Sequence, residues 1–420
     1  MDRAGALVTS LVGGVFLFGG WVLLYYGSLK TIAHSPVILG MFYAIQQFGA
    51  MGAFYAALVG NMKNFKLANR GTVVGVLVSM YGLSAFMISQ LYSHVFDQEP
   101  PVLFLFMAFF TLALCVTGAC AIRVVHPYST KMRQHQKLLT VVDVQSGMEE
   151  QVYGVASDSE SDGLANSRSP SPATLSEEGL VVNTNRNGLI SIPEQPTNIP
   201  RYGQLRFLTL LAHPDFWLLA GVAFLTAGSG LTFITIIGSV AQSWGLTDAP
   251  INYQASTFTS VLSICNCLGR ILYGVLNDAL RKHVRNVTFL LPISLVISVA
   301  HFTLIFWRTV PSLMIGAILT GLSYGGFFAT INIIISKYFG DENYSSNLGF
   351  NTLIISVSGL VWGQVAGALY DHHAVKKHCY GEICYRYTFA ITSSMCLLSF
   401  LLALFIVWRE RRDDKRKAAG

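Results

Sequence analysis

The chain has 420 residues, of which 52% are hydrophobic and only 12% are charged, and its formal net charge is +6. Because soluble domains carry about 25% charged residues, this composition excludes an ordinary soluble globular protein and places much of the chain in lipid. A basic excess suits nucleic-acid binding, the cytoplasmic face of a membrane protein or solvated tails. The positions of the basic residues favour the second, and no nucleic-acid partner is expected.

Ten apolar stretches are long enough to cross about 30 Å of hydrocarbon as helices. Four precede a long polar segment and six follow it. They lie at about 6–26, 37–60, 71–95, 101–123, 213–242, 255–277, 287–307, 311–337, 347–370 and 387–408. The sequence therefore predicts an all-α membrane protein with ten helices, four in a first bundle and six in a second, and the lipid bilayer is its first partner.

Lysine and arginine are enriched in the cytoplasmic loops of membrane proteins. If residue 1 is cytoplasmic, fifteen basic residues, including Arg270, fall on the cytoplasmic side and five fall on the other, leaving out the eight from Arg123 to Arg206. We therefore expect both termini to be cytoplasmic. The pattern does not distinguish a plasma membrane from a vacuolar one.

The predicted domains are a helical bundle at 1–123, a linker at 124–210, a second bundle at 211–408 and a basic tail at 409–420. The linker contains the acidic, serine-rich run Ser157–Asp162 and two Ser-Pro pairs at 169–172. Such a segment buries too little apolar surface to offset the entropy lost on ordering, so we expect it to be disordered. A kinase site in the 157–172 region and a passive tether are both compatible with it.

An internal repeat relates the two halves of the chain. The pairs that share one offset of 274 are Gly52 with Gly326, Phe65 with Phe339, and Gly75 with Gly349. The repeat predicts two parallel helical halves. Asp2 lies 276 residues before Asp278, and two spans precede Asp278 within its half. By this register, the first two helices of a twelve-helix protein are expected to be missing.

The most specific motif is Gly269-Arg270 followed by Gly274-Val275-Leu276-Asn277-Asp278-Ala279-Leu280-Arg281-Lys282. It resembles the loop signature of the major facilitator superfamily. Glycine allows two helices to approach closely, and a carboxylate is stabilised near the N-terminus of a neighbouring helix. Because this loop holds the cytoplasmic side closed in that family, the resemblance implies a conformational latch of Gly274, Asp278, Arg281 and Arg270. The alternative is an ordinary charged turn.

Further segments narrow the resemblance. Asn64-Phe65 with Asn69-Arg70-Gly71 resembles the start of the fifth helix in monocarboxylate-transporter-like carriers. Asp215-Phe216-Trp217 and Tyr338-Phe339-Gly340-Asp341 resemble the plant nodulin-like proteins and the fungal monocarboxylate-transporter homologues, both within the superfamily. The resemblance implies a two-bundle carrier that moves a small organic solute by alternating access, either secondary or facilitative. A non-transporting receptor or scaffold is the alternative, and the solute is not indicated.

In this fold the first and fourth helices of each half line the cavity. The resemblance therefore implies substrate-binding candidates on the spans 37–60, 213–242 and 311–337, namely Gln46, Gln47, Ser229, Thr232, Tyr324 and Asn332. A buried amide or hydroxyl needs a partner, which either the solute or a neighbouring helix can supply. All acidic residues lie outside the middle of the spans, so the visible spans offer no carboxylate for a proton relay.

Two further patterns have structural interpretations. Cys379 and Cys384 share a non-cytoplasmic loop, where an oxidising compartment permits a disulfide. The alternatives are a metal site that includes His372, His373 and His378 and an unpaired, solvated loop. Gly359, Gly363 and Gly367 recur every four residues, which predicts tight helix packing; a hinge for alternating access is the alternative. No phosphate-binding loop or catalytic constellation is present in the sequence, so neither an enzyme nor a cofactor is expected.

Overall fold

The computed structural model describes residues 5–29, 35–62, 64–65, 69–96, 99–122, 201–203, 205, 207–247, 255–374 and 379–419. The regular structure of this part of the chain is helical throughout. Ten of its helices are long and apolar enough to cross a membrane. The prediction of a ten-helix, all-α membrane protein is thus confirmed.

The helices follow the predicted spans closely. The first four are α1 (Gly5–Ser28), α2 (Pro36–Met62), α3 (Arg70–His94) and α4 (Pro100–Ala121). After a short α5 (Phe207–Leu211) come α6 (Pro214–Ser243), α7 (Ala255–Ala279), α8 (Leu290–Phe306), α9 (Val310–Phe339), α10 (Tyr344–His373) and α11 (Ile383–Ala419). A 3-10 turn at Asn286–Phe289 leads into α8.

Local sequence sets several of the helix ends. Proline stands in the first turn of α4, α6 and α9, where its missing N–H leaves no helix hydrogen bond unmade. Thr309 caps α9 by accepting a hydrogen bond from the Ser312 N–H at 3.3 Å, and the Ser312 hydroxyl accepts one from the Thr309 N–H at 3.0 Å. Gly340 ends the same helix at a φ of 83°, a conformation that glycine adopts without steric cost.

Helix packing divides the molecule into two groups. In the first, α1 packs against α2 and α4; in the second, α6 packs against α10 and α11, α7 against α9, and α8 against α11. Helix α3 belongs to the first half by sequence but packs mainly against α7. The boundary between the two halves therefore runs chiefly along α3 and α7.

The second bundle buries hydroxyl groups in pairs, which meets the need for hydrogen bonds in lipid. The Thr226 hydroxyl lies 2.7 Å from that of Ser399 and 3.0 Å from that of Ser294. The His301 ring nitrogens lie 2.9 Å from the Thr392 hydroxyl and 3.3 Å from the Thr320 hydroxyl. Both ring nitrogens of His301 are thus occupied by helix contacts.

Consecutive spans cross the membrane in opposite directions, which defines its two sides. We call the side on which α4 ends the linker side. Helices α2, α7, α9 and α11 also end on the linker side, and α3 and α10 begin there. On the opposite side, Cys379 and Cys384 form a disulfide with their Cα atoms 5.8 Å apart. The Gly381 N–H between them donates to the Ser243 carbonyl at the end of α6, at 2.9 Å.

The predicted linker boundary at residue 210 was placed too late. The backbone N–H groups of Arg201, Tyr202 and Leu205 donate to the carbonyls of Lys337, Tyr338 and Phe339 at 3.1, 3.1 and 3.2 Å. They satisfy carbonyls that the last turn of a helix leaves without partners. The order of this short polar stretch therefore comes from α9, a contact distant in sequence. The candidate kinase region, 157–172, lies outside the described residues.

The glycine stripe on α10 was interpreted wrongly at two of its three positions. A Cβ atom at Gly359 would meet the Leu231 side chain, as tight packing requires. At Gly363 and Gly367 the same added atom would meet nothing within 4 Å in the described part of the chain. Spacing alone places residues on one helix face but does not say whether a neighbour covers that face.

Candidate functional site

The Asp278 carboxylate lies at the start of α3, on the boundary between the two halves. It accepts hydrogen bonds from the backbone N–H groups of Gly71 and Thr72, at 2.9 and 2.6 Å, and from the Thr72 hydroxyl at 2.9 Å. The first N–H groups of a helix have no partner within the helix, and its dipole favours an anion there. Asp278, at the end of α7, therefore stabilises contact between the halves on the linker side.

Glycines make this contact possible. A Cβ atom at Gly274 would lie 2.5 Å from the Gly71 carbonyl oxygen and 3.0 Å from the Gly75 Cα atom. A Cβ atom at Gly71 would lie 2.6 Å from both the Gly274 carbonyl oxygen and an Asp278 carboxylate oxygen. The backbones of α3 and α7 thus touch where the carboxylate caps α3, and a larger residue at these positions would separate the helices.

We predict that Gly274→Ala weakens the α3–α7 contact without unfolding the protein. The added methyl group would meet backbone atoms, which cannot move aside as a flexible side chain can, and overpacking of this kind costs about 1–3 kcal/mol. The matched control is Gly363→Ala, which adds the same atom in open space. Cys267 is buried on α7, with its backbone facing Gly82 of α3, so its thiol becomes accessible when the two helices separate. Its labelling from the linker side should accelerate about tenfold in Gly274→Ala only; equal rates in both variants would contradict the prediction.

Two other polar contacts join the halves on the linker side. The Arg70 guanidinium at the start of α3 forms an ion pair with Asp341, which also accepts a hydrogen bond from the Ser336 hydroxyl at 2.5 Å. The Tyr55 hydroxyl of α2 donates to the Thr352 hydroxyl of α10 at 2.9 Å. These four residues were not among the sequence-based site candidates. Arg70 and Asp341 each lie in a segment that carries the family resemblance, but nothing in the sequence pairs them, and both contacts form only when the chain folds.

Arg270 lies deeper in the membrane than the latch motif suggests. It is 2% exposed, and its backbone lies about 13 Å from the end of α7 along the helix axis, at 1.5 Å per residue, within a helix long and apolar enough to cross a membrane. Counting it among the cytoplasmic basic residues was therefore wrong, which leaves fourteen there against five. The physical reason is that the apolar run of α7 continues for two turns beyond it.

The Arg270 side chain bridges the two halves. One of its terminal nitrogens donates to the Val78 carbonyl of α3 at 2.9 Å, and its Nε donates to the Asn266 amide oxygen at 3.1 Å. Its guanidinium carbon lies 4.9 Å from the centre of the Phe328 ring and 5.6 Å from that of Tyr81. No carboxylate forms an ion pair with Arg270 in the part of the chain that the structure describes.

The structure separates the six predicted substrate-binding residues into different environments. Tyr324 is near Arg270, because its ring lies 5.0 Å from that of Phe328, which itself contacts the Arg270 guanidinium. Ser229 and Thr232 instead donate to helix carbonyls, of Thr392 at 3.1 Å and of Gly228 at 2.9 Å. Both hydroxyls therefore take part in helix packing.

The remaining predicted residues have different surroundings. Gln46 and Asn332 are buried; Gln46 lies against α1, where its backbone contacts Gly20. The Gln47 amide donates to the Tyr43 hydroxyl at 2.6 Å. Arg281, predicted as part of the latch, is exposed, and its N–H approaches the Asp278 carbonyl at 3.5 Å. The substrate and latch roles of all these residues remain predictions.

Comparisons with known proteins agree with this architecture. Residues 218–420 match the family model of the Major Facilitator Superfamily, and residues 2–158 match the Nodulin-like model. A probable transporter named mch1 from Aspergillus fumigatus is 24% identical over 97% of this chain and 76% of its own length. Its namesake from Emericella nidulans is 23% identical over 86% of this chain and 67% of its own length.

Among solved structures, the fucose:proton symporter FucP of Escherichia coli, in its outward conformation, is similar with a TM-score of 0.56 at 12% identity. The similarity covers 96% of this chain and 84% of FucP, and at this identity it bears on the fold alone. Family models match both halves of the chain, and the relatives extend over most of its length. The chain belongs to the major facilitator superfamily of membrane transporters; its first part matches the Nodulin-like family, and along most of its length it is similar to the probable transporters named mch1.

Proposed function

We propose that the protein carries a small organic anion across the membrane by alternating access, and that the structure represents the state closed on the linker side. The observation that carries this proposal is the position of the polar contacts between the halves. The contacts of Asp278 and of the Arg70–Asp341 pair lie at the helix ends on the linker side. Those of Tyr55 and Arg270 lie within about 14 Å of those ends at 1.5 Å per residue. The linker side corresponds to the cytoplasm by its basic residues.

The buried Arg270 supports the proposal that the solute is an anion. A buried cation is costly unless an anion or strong hydrogen bonds compensate it. Arg270 donates two hydrogen bonds and lies over two aromatic rings. Because a guanidinium has five N–H donors, further donors remain that suit a carboxylate or phosphate. It lies at the inner limit of the closed contacts, where a solute entering from the opposite side would stop. Its bond to Val78 would let solute binding influence the contact between α3 and α7.

The direct test is counterflow uptake by the purified full chain in proteoliposomes. The panel compares small carboxylates and organic phosphates with neutral sugars of similar size. We expect saturable uptake of at least one anion and competition among anions. Uptake confined to neutral solutes would overturn the anionic class, and the absence of any exchange across the panel would overturn the carrier proposal itself.

A charge-reversal cycle at Arg70 and Asp341 tests whether closure of the linker side belongs to the transport cycle. Arg70→Asp or Asp341→Arg alone places like charges in contact at a largely buried site, and each should lower uptake about tenfold or more. The double variant restores an opposite pair and should recover a substantial part of the uptake. If the double variant is as impaired as the singles, the ion pair is not the relevant interaction.

A further inference from the structure

Helix α11 extends well beyond the hydrocarbon core on the linker side. It has 37 residues, about 55 Å at 1.5 Å per residue, whereas the hydrocarbon core is about 30 Å thick. Trp408 is the last large apolar residue of the helix that is exposed. The sequence predicts only a basic tail after the last span, whereas in the structure residues 409–419 continue the helix; we call this segment the extension.

One face of α11 is exposed along its membrane part. The large apolar residues exposed in the last three turns up to Trp408 are Leu397, Leu398, Leu401, Leu404, Phe405 and Trp408, with exposed fractions between 45% and 53%. Residues three, four and seven apart share a helix face. Large apolar side chains left exposed in a membrane protein contact lipid, so this face of α11 is oriented toward the bilayer.

The same face becomes basic as soon as the helix leaves the membrane. Arg411, Arg412, Lys415 and Arg416 continue the spacing of the apolar residues, and all four side chains are exposed. We call these four residues the basic face. The Arg412 guanidinium lies 5.4 Å from the centre of the Trp408 ring, which joins the basic face to the last lipid-facing residue. Within the described residues, none of the four forms an ion pair.

The acidic residues of the same extension lie on the opposite face, roughly half a helix turn away. Arg285 forms an ion pair with Asp414 at 2.5 Å, and Arg201 pairs with Asp413 at 3.4 Å and with Glu410 at 3.6 Å. These pairs hold the extension against the second bundle, so its orientation is fixed. The fixed orientation leaves the basic charge directed outward, with no neutralising carboxylate on its own face.

The distances suit the headgroup layer of a bilayer. Along the helix axis, Arg411 and Arg412 lie about 5–6 Å beyond Trp408 and Lys415 and Arg416 about 11–12 Å beyond it. The headgroup region adds about 5–7 Å to each side of the hydrocarbon core, and long basic side chains extend along the surface to reach it. Tryptophan is enriched at this boundary.

We propose that the basic face binds the headgroups of anionic phospholipids, such as phosphatidylserine, in the leaflet on the linker side. Charge complementarity and continuity with the lipid-facing residues favour this occupant over a soluble partner. Clusters of four or more basic residues next to a membrane span are attracted to anionic lipids, and each residue strengthens the attraction several-fold.

The test uses the full chain in neutral detergent, titrated with phosphatidylserine or phosphatidylcholine that carries brominated acyl chains. Bromine quenches the fluorescence of tryptophans it contacts, and a Trp408→Phe variant identifies the part of the signal that reports on this site. We expect half-maximal quenching of Trp408 at about tenfold lower phosphatidylserine than phosphatidylcholine. Changing all four residues of the basic face to glutamine should abolish this preference, whereas changing the three arginines to lysine should preserve most of it.

Several results would overturn the proposal. One is equal quenching by both lipids in the unmodified chain, and another is an intact preference in the glutamine variant. Full competition by millimolar inorganic phosphate would indicate a site for free anions instead. If the preference for phosphatidylserine emerges only after the acidic residues of 157–162 are neutralised, that segment and not lipid occupies the basic face in the unmodified chain. The thermal unfolding of each variant, measured in neutral detergent, separates lost binding from lost folding.

Discussion

Replacing Asp278 by asparagine should shift the protein toward the state that is open on the linker side. The carboxylate accepts three hydrogen bonds from the first turn of α3, and hydrogen bonds to a charged group contribute about 1.5–3 kcal/mol each. Asparagine keeps one acceptor oxygen but loses the negative charge that the helix N-terminus stabilises. A net loss of about 1.4–3 kcal/mol corresponds to a shift of roughly ten- to a hundredfold between the two states.

Cys267 provides the measurement. It is buried on α7, about one turn farther from the linker side than Arg270, and its backbone faces Gly82 of α3. With the other free cysteines, Cys115, Cys120, Cys265 and Cys396, replaced by alanine, labelling by an impermeant thiol reagent from the linker side reports separation of α3 and α7. Asp278→Asn should accelerate this labelling about tenfold or more and lower solute uptake.

The matched control is Asp371→Asn, which removes an exposed carboxylate near the C-terminal end of α10. It makes the same chemical change on the opposite side of the membrane, so the labelling of Cys267 should not change. If Asp278→Asn labels at the rate of the unmodified chain and transports normally, the carboxylate is only part of a charged turn and not a latch.

The parts of this architecture that the sequence revealed are those governed by local physics. Span positions follow from runs of apolar residues, and the contact between Asp278 and α3 follows from a motif whose glycines permit close packing. The Arg70–Asp341 and Tyr55–Thr352 contacts had no such signal, because their partners are separated by 271 and 297 residues. Hydroxyl candidates such as Ser229 could not be assigned either, since a helix carbonyl and a solute satisfy the same group equally well.

Arg270 shows where sequence reasoning could have gone further. Its place in the motif predicts a role in the latch, yet it lies within an apolar run from Cys267 to Leu276. A charged residue inside a span is rare and usually faces a cavity or a partner. That rule alone would have separated Arg270 from the surface residues Arg281 and Lys282.

Neutralising Arg270 should abolish recognition of an anionic solute while leaving the fold intact. Loss of one partner of a buried charge pair costs about 2–5 kcal/mol, so Arg270→Gln should weaken solute binding about 30-fold or more. Arg270→Lys keeps the charge but loses the planar fork that reaches both Val78 and Asn266. The affinity of Arg270→Lys for the solute should therefore lie between those of the unmodified chain and Arg270→Gln. Arg386→Gln, at an exposed arginine near the start of α11, is the matched control and should bind normally.

The decisive comparison is between solute affinity and the accessibility of Cys267. An arginine that anchors the solute lowers the affinity when it is neutralised, and the solute then no longer changes the labelling rate of Cys267. An arginine that only ties α3 to α7 would, when neutralised, raise the basal labelling rate and leave the intrinsic solute affinity of the open state nearly unchanged. Arg270→Gln with unaltered solute affinity would therefore remove Arg270 from the binding site, because a buried guanidinium in contact with an anion cannot be lost without cost.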